Sequence, residues 1–368
     1  MQLVILTTLA VLECSCVSTL ALTKYITPDS SVPCPNERYC YGLQEVIHNT
    51  RVYFTSNTTL KFLPGKYNIK TESSVVVSDV TGLAIVGNST IIQCSENFGF
   101  VFLNVSNLTL QHLHFTHCGL NVFSKGLMSI ANRLTDVTKL IRYKFIPTEN
   151  DSYLSSPLYF IQVYDLNINR VAVNSSKGCG ILGVNILGNS SLAYSGFADN
   201  MFNAFLFYQD PTRDTSAIAA VRFSVLAITH SNFELGSTKF KNSAGGLTLK
   251  FLQNFYHVSV IICNATIREN KGITCSSMYV GTSLCSSTTL RMNEVTITGG
   301  VCSANDTSLI IVGELLFVYG IKYASCKKYP NKPQILNITR GNFSRNSQNR
   351  QPIIHITALY DFPIVFSE

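Results

Sequence analysis

The stretch that decides the fold is Leu108-Thr-Leu-Gln-His-Leu-His-Phe-Thr-His-Cys118. Apolar residues stand at Leu108 and Leu110, then at Leu113 and Phe115, and the small residue Cys118 closes the row. An apolar residue at every second position is typical of a β-strand with one buried face. The break between the two apolar pairs indicates two short strands that meet at a bend.

The same spacing recurs along the chain. Five further rows have apolar residues at the positions equivalent to Leu108, Leu110 and Phe115, and a small or polar residue at the position of Cys118. They begin at Leu166, Leu226, Val260, Leu290 and Leu336. A looser copy with one additional residue consists of Leu83, Ile85, Ile91 and Cys94. A repeated unit that buries its apolar face against the next unit is the signature of a solenoid.

Two solenoids fit these rows. Residues 110–120 match the leucine-rich repeat pattern, but leucine-rich repeats keep a period of about 20–29 residues. The rows here begin at positions 83, 108, 166, 226, 260, 290 and 336, and the segments between them are rich in Ser, Thr, Asn and Gly. The sequence therefore predicts an all-β chain, a right-handed parallel β-helix solenoid of three-sided coils with a short N-terminal capping segment and one helical or loop insertion. A leucine-rich-repeat adhesion domain is the alternative.

The N-terminus predicts secretion. Residues 1–21 are expected to be a signal peptide, because the run from Leu3 to Leu12 is apolar and Ser18 and Ala21 suit cleavage. A transmembrane anchor competes with this interpretation, since no basic residue precedes the run and Glu13 follows it. No later stretch is long and apolar enough to span a bilayer.

The rest of the chain divides into a capping segment and one elongated domain. Residues 22–62 form the predicted N-terminal cap, with a short helical stripe at Leu43, Val46 and Ile47. Residues 63–368 form the predicted β-helix domain, with an insertion at about 120–155 whose apolar residues follow a helical spacing. That helix either packs its apolar face on the solenoid or forms a flap over a groove. The chain ends without an obvious closing cap, so we expect a truncated C-terminus.

Cysteines and glycosylation sequons support a secretory product. Ten of the 12 cysteines remain after the leader, an even number, as disulfide bonding requires. Cys34 and Cys40 are expected to close a local loop, whereas Cys94 and Cys118 occupy equivalent positions of successive rows and either form a disulfide or remain buried thiols. Asn-x-Ser/Thr sequons, each a candidate N-glycosylation site, occur at Asn57, Asn88, Asn104, Asn107, Asn150, Asn174, Asn189, Asn264, Asn305, Asn337 and Asn342.

Three stretches resemble a known group of proteins. They are Phe62-Leu-Pro-Gly-Lys-Tyr67, the row from Leu83 to Cys94, and the segment from Gly180 to Ser191. They are similar to secreted right-handed β-helix repeat proteins, pectin-lyase-like in fold, of an uncharacterised invertebrate family. The resemblance covers most of residues 24–346. It implies an extracellular β-helix and no particular activity, since the shared motifs are motifs of the fold.

The sequence offers few residues for catalysis. A polysaccharide lyase or glycoside hydrolase of this fold needs clustered or paired carboxylates. The 21 acidic residues are scattered, and Asp-Asp and Asp-x-Asp are absent. No catalytic residue and no cofactor site is predicted, and such an enzyme is the alternative function. His112, His114 and His117 are weak metal-ligand candidates, because imidazoles bind zinc and copper.

A basic segment near the C-terminus is a candidate surface for an anionic ligand. It carries seven basic residues and no acidic residue: Lys322, Lys327, Lys328, Lys332, Arg340, Arg345 and Arg350. These residues either line up into a stripe or form a solvated face. The expected partners are extracellular polysaccharide or a cell-surface protein; nucleic acid is not expected. The sequence thus predicts a secreted, N-glycosylated protein with a non-catalytic binding, adhesion or structural role.

Overall fold

Successive coils of three parallel β-strands build this protein. The computed structural model describes residues 22–28, 33–35, 39–70, 73–95, 97–119, 155–176, 178–208, 223–238, 243–251, 257–273, 275–282, 287–303, 308–314, 335–344, 354–357 and 364–367. Equivalent strands of neighbouring coils pair in parallel and form three long sheets. The predicted all-β parallel β-helix is therefore confirmed, and three strands per coil exclude the leucine-rich-repeat alternative.

The first sheet begins each coil. Its strands are β1 (Leu22–Thr27), β3 (Thr58–Phe62), the first half of β6 (Thr81–Cys94), the first half of β8 (Ser106–Thr116), β10 (Asn167–Asn169), β13 (Asn189–Ala193), β16 (Phe223–Thr229), β19 (His257–Cys263), β23 (Ser287–Asn293), β27 (Ile335–Thr339) and β30 (Ile364–Ser367). We number the coils from 1, which contains β3, to 9, which contains β27.

The second and third sheets complete the coils. The second contains β4 (Gly65–Ile69), the second halves of β6 and β8, β11 (Ala172–Asn174), β14 (Gly196–Ala198), β17 (Asn232–Glu234), β20 (Thr266–Arg268), β24 (Thr296–Thr298) and β28 (Asn342–Ser344). The third contains β5 (Ser73–Ser78), β7 (Phe98–Leu103), β9 (Leu158–Tyr164), β12 (Cys179–Leu187), β15 (Phe202–Tyr208), β18 (Leu247–Phe251), β22 (Cys275–Thr282), β26 (Ser308–Glu314) and β29 (Ile354–Thr357).

Three short strands and two helices lie outside these sheets or at their start. Strand β2 (Cys40–Gly42) pairs with β1, and β21 (Lys271–Gly272) pairs with β25 (Val301–Cys302). Helices α1 (Leu43–His48) and α2 (Thr50–Tyr53) follow β2 and contact β5 of coil 1. Leu43, Val46 and Ile47 are the buried residues of α1, as their spacing predicts. No described helix is long and apolar enough to cross a membrane.

The apolar rows stack in register. One inward column of the first sheet runs through Ile85, Leu110, Ile168, Leu192, Ile228, Ile262, Met292 and Ile338, each paired with the next. All of these side chains are buried. Burying apolar surface coil against coil is what drives a solenoid to form.

The looser row at residues 83–94 differs from the prediction. Ile92, not Ile91, pairs with the inward Phe115, and Ile91 pairs with the outward His114 and is 38% exposed. The register shifts between Val86 and Thr90, where three residues of β6 lie opposite the single residue His112. The row therefore contains two additional residues rather than one, and this reverses which isoleucine points inward.

The outer side of the third sheet is buried as well. Its side chains Tyr159, Ile161, Leu182, Val184 and Phe205 are all at most 5% exposed, although they lie outside the main core cluster. Strand β12 is accordingly buried along its whole length. In coils 3 to 5, the described surfaces open to a ligand are therefore mainly the outer sides of the first two sheets and the bends.

Several predicted features lie outside the described residues. These are the signal peptide at residues 1–21, nearly all of the insertion at 120–155, the sequons Asn150 and Asn305, and the basic residues Lys322, Lys327, Lys328, Lys332, Arg345 and Arg350. Both predicted disulfides are present: Cys34 bonds to Cys40, and Cys94 bonds to Cys118 across neighbouring coils.

Candidate functional site

The bend between the first and second sheets places one outward residue per coil in a continuous column. We call this column the first bend; it consists of His112, Arg170, Tyr194, His230, Asn264, Glu294 and Arg340 in coils 3 to 9. Each residue has a positive φ near 50°, and from Arg170 to Glu294 its backbone N–H donates to a carbonyl of the next coil. The column is therefore a regular feature of the coil geometry.

The residue types of the first bend are unfavourable for its backbone. A positive φ costs an ordinary L-residue about 1–2 kcal/mol, and Gly, Asn and Asp tolerate it best. The bend between the third and first sheets follows this preference with Asp79, Asn104, Asp165 and Gly188. The first bend instead carries Arg170 and Tyr194, beside His230, a residue type that tolerates a positive φ. The bend between the second and third sheets also carries long side chains, Leu235 and Glu269, at a positive φ. What distinguishes the first bend is the contact between its exposed side chains.

These three side chains form an exposed stack. The Tyr194 and His230 rings lie 4.7 Å apart between centroids with an interplanar angle of 11°, and the Arg170 guanidinium carbon lies 6.0 Å from the Tyr194 ring centroid. All three residues are exposed, and Tyr194 retains 57% of its surface. Both faces of the Tyr194 ring are thus occupied, while its edge and hydroxyl, the imidazole and the guanidinium face solvent.

A second stack, of one exposed and one half-buried ring, lies at the opposite edge of the first sheet. The rings of Phe223 and His257, in coils 6 and 7, lie 5.1 Å apart at an interplanar angle of 12°. Phe223 is 50% exposed, and His257 shares a 3.2 Å hydrogen bond with the Thr289 hydroxyl. The two stacks frame the outer side of β16. With six residue steps from Phe223 to Thr229, this strand spans about 20 Å at 3.3 Å per residue.

The outward residues between the two stacks are small or uncharged. In β16 they are Val225, Ala227 and Thr229, which alternate with the buried Leu226 and Ile228. In coils 4 and 5 the Ser191 hydroxyl donates to Asn167 Oδ1 at 3.2 Å. A surface of this composition offers hydrogen-bonding groups and short side chains to an extended ligand lying across the strands.

The three histidine candidates are not brought together as a metal site. His112 lies on the first bend, His114 on the outer side of the second sheet, and His117 at the bend between the second and third sheets. Asn174 Nδ2 donates to His114 Nε2 at 3.0 Å, and burial lowers the pKa of His114. No group of three His, Cys, Asp or Glu side chains suited to a metal ion occurs among the described residues.

The described sequons lie mostly on exposed positions. Seven asparagines are exposed: Asn57, Asn88, Asn104, Asn107, Asn189, Asn264 and Asn342. Asn174 and Asn337 are half-buried. Asn88 and Asn264 lie on the first bend, in coils 2 and 7. The described sequons therefore leave the first bend free in coils 3 to 6.

The basic segment contributes one described residue, and that residue is paired. Arg340 lies on the first bend in coil 9, and its Nη1 is 2.6 Å from Glu294 Oε1 in coil 8. Arg268 on the second sheet is similarly paired with Glu234 at 2.8 Å. Stacking of coils brings these acids beside arginines from which they are distant in sequence, so a basic run in the sequence does not by itself make a basic surface.

Sequence reasoning missed the two stacks, although part of the signal is present. The residue two positions after the second apolar residue of each row is the bend residue, as in Arg170 after Ile168 and His230 after Ile228. Aligned rows therefore place these residues in one column. Tyr194 escaped because Ser190 replaces the first apolar residue of its row.

Comparison with known proteins yields likenesses of fold only. No family model and no curated protein matches the chain. Among solved structures, the pectate lyase Pel9A is 8% identical with a TM-score of 0.43, over 89% of this chain and 77% of that chain. The ORF18 protein of Geobacillus virus E2 is 10% identical with a TM-score of 0.42, over 84% and 54%. The periplasmic alginate epimerase AlgG is 7% identical with a TM-score of 0.26, over 88% and 82%.

Proposed function

We propose that this protein is a secreted, N-glycosylated β-helix protein that binds polysaccharide outside the cell and does not cleave it. The observation that carries the proposal is the pair of ring stacks, Tyr194 with His230 and the partly exposed Phe223 with His257, which frame the outer side of the first sheet. Exposed aromatic rings beside hydrogen-bonding groups suit the alternating apolar and polar surface of a sugar chain.

The surroundings support binding rather than catalysis. General acid–base cleavage of a glycosidic bond needs two carboxylates about 5–9.5 Å apart across the scissile bond. The outward side of the first sheet in coils 3 to 6 and the adjoining first bend carry no Asp or Glu among the described residues. The exposed sequons and the two disulfides support an oxidising, extracellular setting.

A glycan array probed with the full-length glycosylated protein tests the proposal. Tyr194→Ala and Phe223→Ala are each expected to weaken binding about three- to tenfold, the value of an aromatic contact. Tyr39→Ala is the matched control, because Tyr39 is a 73% exposed tyrosine in the N-terminal segment, before the first coil. Failure of the wild-type protein to bind any polysaccharide would refute the proposal.

Assays of product formation test the non-catalytic part. Incubation with the bound polysaccharide, with and without calcium, is expected to release neither reducing ends nor unsaturated uronides. Release of either product would establish the polysaccharide lyase or hydrolase alternative.

A further inference from the structure

We infer that the glycan bound at this surface is anionic and that its acidic groups lie along the first bend beside Arg170. The inference rests on the proposed function, since it names the class of polysaccharide for the same site. The relevant chemistry is that of carboxylate or sulfate groups, which guanidinium N–H groups bind in charge-assisted hydrogen bonds.

The first bend of coils 3 to 6 and its neighbouring described outward residues carry positive charge and no negative charge. Arg170, His112 and His230 occupy the first bend of coils 3 to 6, and Tyr194 completes it. On the second-sheet side of the bend, the next outward residues of these coils are His114, Ala172, Gly196 and Asn232. None of these described residues is acidic. An acid-free surface with a fixed cation attracts an anion and repels none.

Arg170 is available to a ligand, unlike the two ion-paired arginines Arg268 and Arg340. Arg268 and Arg340 each contact a glutamate at hydrogen-bond distance. Arg170 is exposed, and its contact within the described residues is the face of the Tyr194 ring. This cation–π contact restricts the long side chain, so less conformational entropy is lost when an anion binds.

Access to the surface agrees with this inference. The sequons on the first bend, Asn88 and Asn264, are five coils apart, which is about 24 Å at about 4.8 Å per coil. In coils 3 to 6 the exposed sequons Asn107 and Asn189 lie towards the opposite edge of the first sheet. These four attachment points lie outside the Arg170 stack, and Asn189 pairs with Val225, so its glycan is attached to the outer side of the first sheet on the side of Phe223.

The test compares three immobilised polymers and matched arginine variants. Binding of the full-length glycosylated protein is measured by surface plasmon resonance on a neutral glucan, a uronate polymer and a sulfated polymer. The wild-type protein is expected to bind one or both acidic polymers more tightly than the glucan, with an affinity that falls as salt rises.

Arg170→Gln removes the charge and keeps much of the side-chain length. It is expected to weaken binding to the acidic polymer about tenfold, the value of one charge-assisted hydrogen bond, and to weaken binding to the glucan much less, because a neutral sugar has no acidic group to pair with the guanidinium. Arg268→Gln, which removes an ion-paired arginine of the second sheet, is expected to change neither.

The outcomes separate this inference from the proposed function. Preferential binding to the uronate or to the sulfated polymer identifies which acidic group is recognised. Equal binding to all three polymers, or unchanged binding by Arg170→Gln, overturns the anionic inference and leaves polysaccharide binding intact. Absence of binding to every polymer overturns both.

Discussion

Lys250 provides a test of how the outer side of the third sheet is organised. It lies in β18 of coil 6 and is only 3% exposed. Its ammonium nitrogen lies 5.3 Å from the ring centroid of Phe205 and 5.7 Å from that of Tyr279, so it is held between aromatic rings of coils 5 and 7. Burial disfavours the charged form and lowers the pKa of Lys250 from 10.5 to about 7.

We predict that Lys250→Met raises the free energy of unfolding and that the gain shrinks as the pH rises. Lowering the pKa from 10.5 to about 7 costs about 5 kcal/mol when the amine is charged, at about 1.36 kcal/mol per pH unit. A folded-state pKa is the net result of everything that acts on the amine, its ring contacts included. The methionine variant, which fills a similar volume without a charge, should therefore gain up to about 5 kcal/mol below pH 7.

The pH dependence follows from proton binding. Between about pH 7 and pH 10.5 the unfolded chain keeps the proton of Lys250 while the folded chain has lost it. The stability of the wild-type protein consequently rises with pH across this window. A methionine does not titrate, so its advantage is largest at pH 6 and falls by about 3 kcal/mol by pH 9, at about 1.36 kcal/mol per pH unit above pH 7.

Urea unfolding followed by far-ultraviolet circular dichroism at pH 6, 7.5 and 9 measures this difference. Lys66→Met is the matched control, because Lys66 is exposed on the outer side of the second sheet. Its effect on stability should be small and independent of pH. The reasoning about Lys250 is wrong if Lys250→Met gives an offset that does not change with pH, or if it destabilises the protein at pH 6.

Three further predictions concern stability and modification. Phe197→Ala, which empties an inward position of coil 5, should lower the free energy of unfolding by about 3–5 kcal/mol, whereas Tyr194→Ala should lower it by less than about 1 kcal/mol; equal losses in urea unfolding would contradict the division between inner and outer residues. Replacing both Cys94 and Cys118 by Ala opens a loop with a sequence separation of 24 residues and should cost about 3 kcal/mol; an unchanged urea midpoint would show that the disulfide does not constrain the unfolded chain. Glycopeptide mass spectrometry should find Asn88 and Asn264 occupied and Asn174 unmodified, since the Asn174 amide donates to His114 within the second sheet; a glycan at Asn174 would refute this.

The inward columns could be predicted from the sequence because each coil has a buried position at the same place in its row. Leu110, Ile168 and Ile228 each fill one position of a stack, and only a buried apolar side chain satisfies it. The register slip at Ile91 shows where this reasoning stops. The prediction counted one additional residue at this bend where there are two, and that one-residue error moved the inward position from Ile92 to Ile91.

The exposed surface could not be predicted in the same way, because it depends on which residues of different coils become neighbours. The sequence marked Arg340 as part of a basic segment, yet stacking places Glu294 of the preceding coil against it. Tyr194 and His230 are 36 positions apart in the sequence, and the register of β13 and β16 brings their rings together. Which residues of different coils become neighbours depends on the lengths of the segments that connect the rows. The residue spacing within one row gives no information about those lengths.

The fold therefore divides its sequence into two sets of positions under different physical constraints. Inward side chains such as Phe197 stabilise the stack of coils, and changing them affects folding before it affects any ligand. Bend side chains such as Tyr194 contribute little to that stack and occupy a backbone conformation that Gly or Asn would adopt at lower cost. Arg170, Tyr194 and His230 are candidates for ligand binding because their exposed side chains contact one another across successive coils. The search for a partner of this protein should begin at Arg170, Tyr194 and His230.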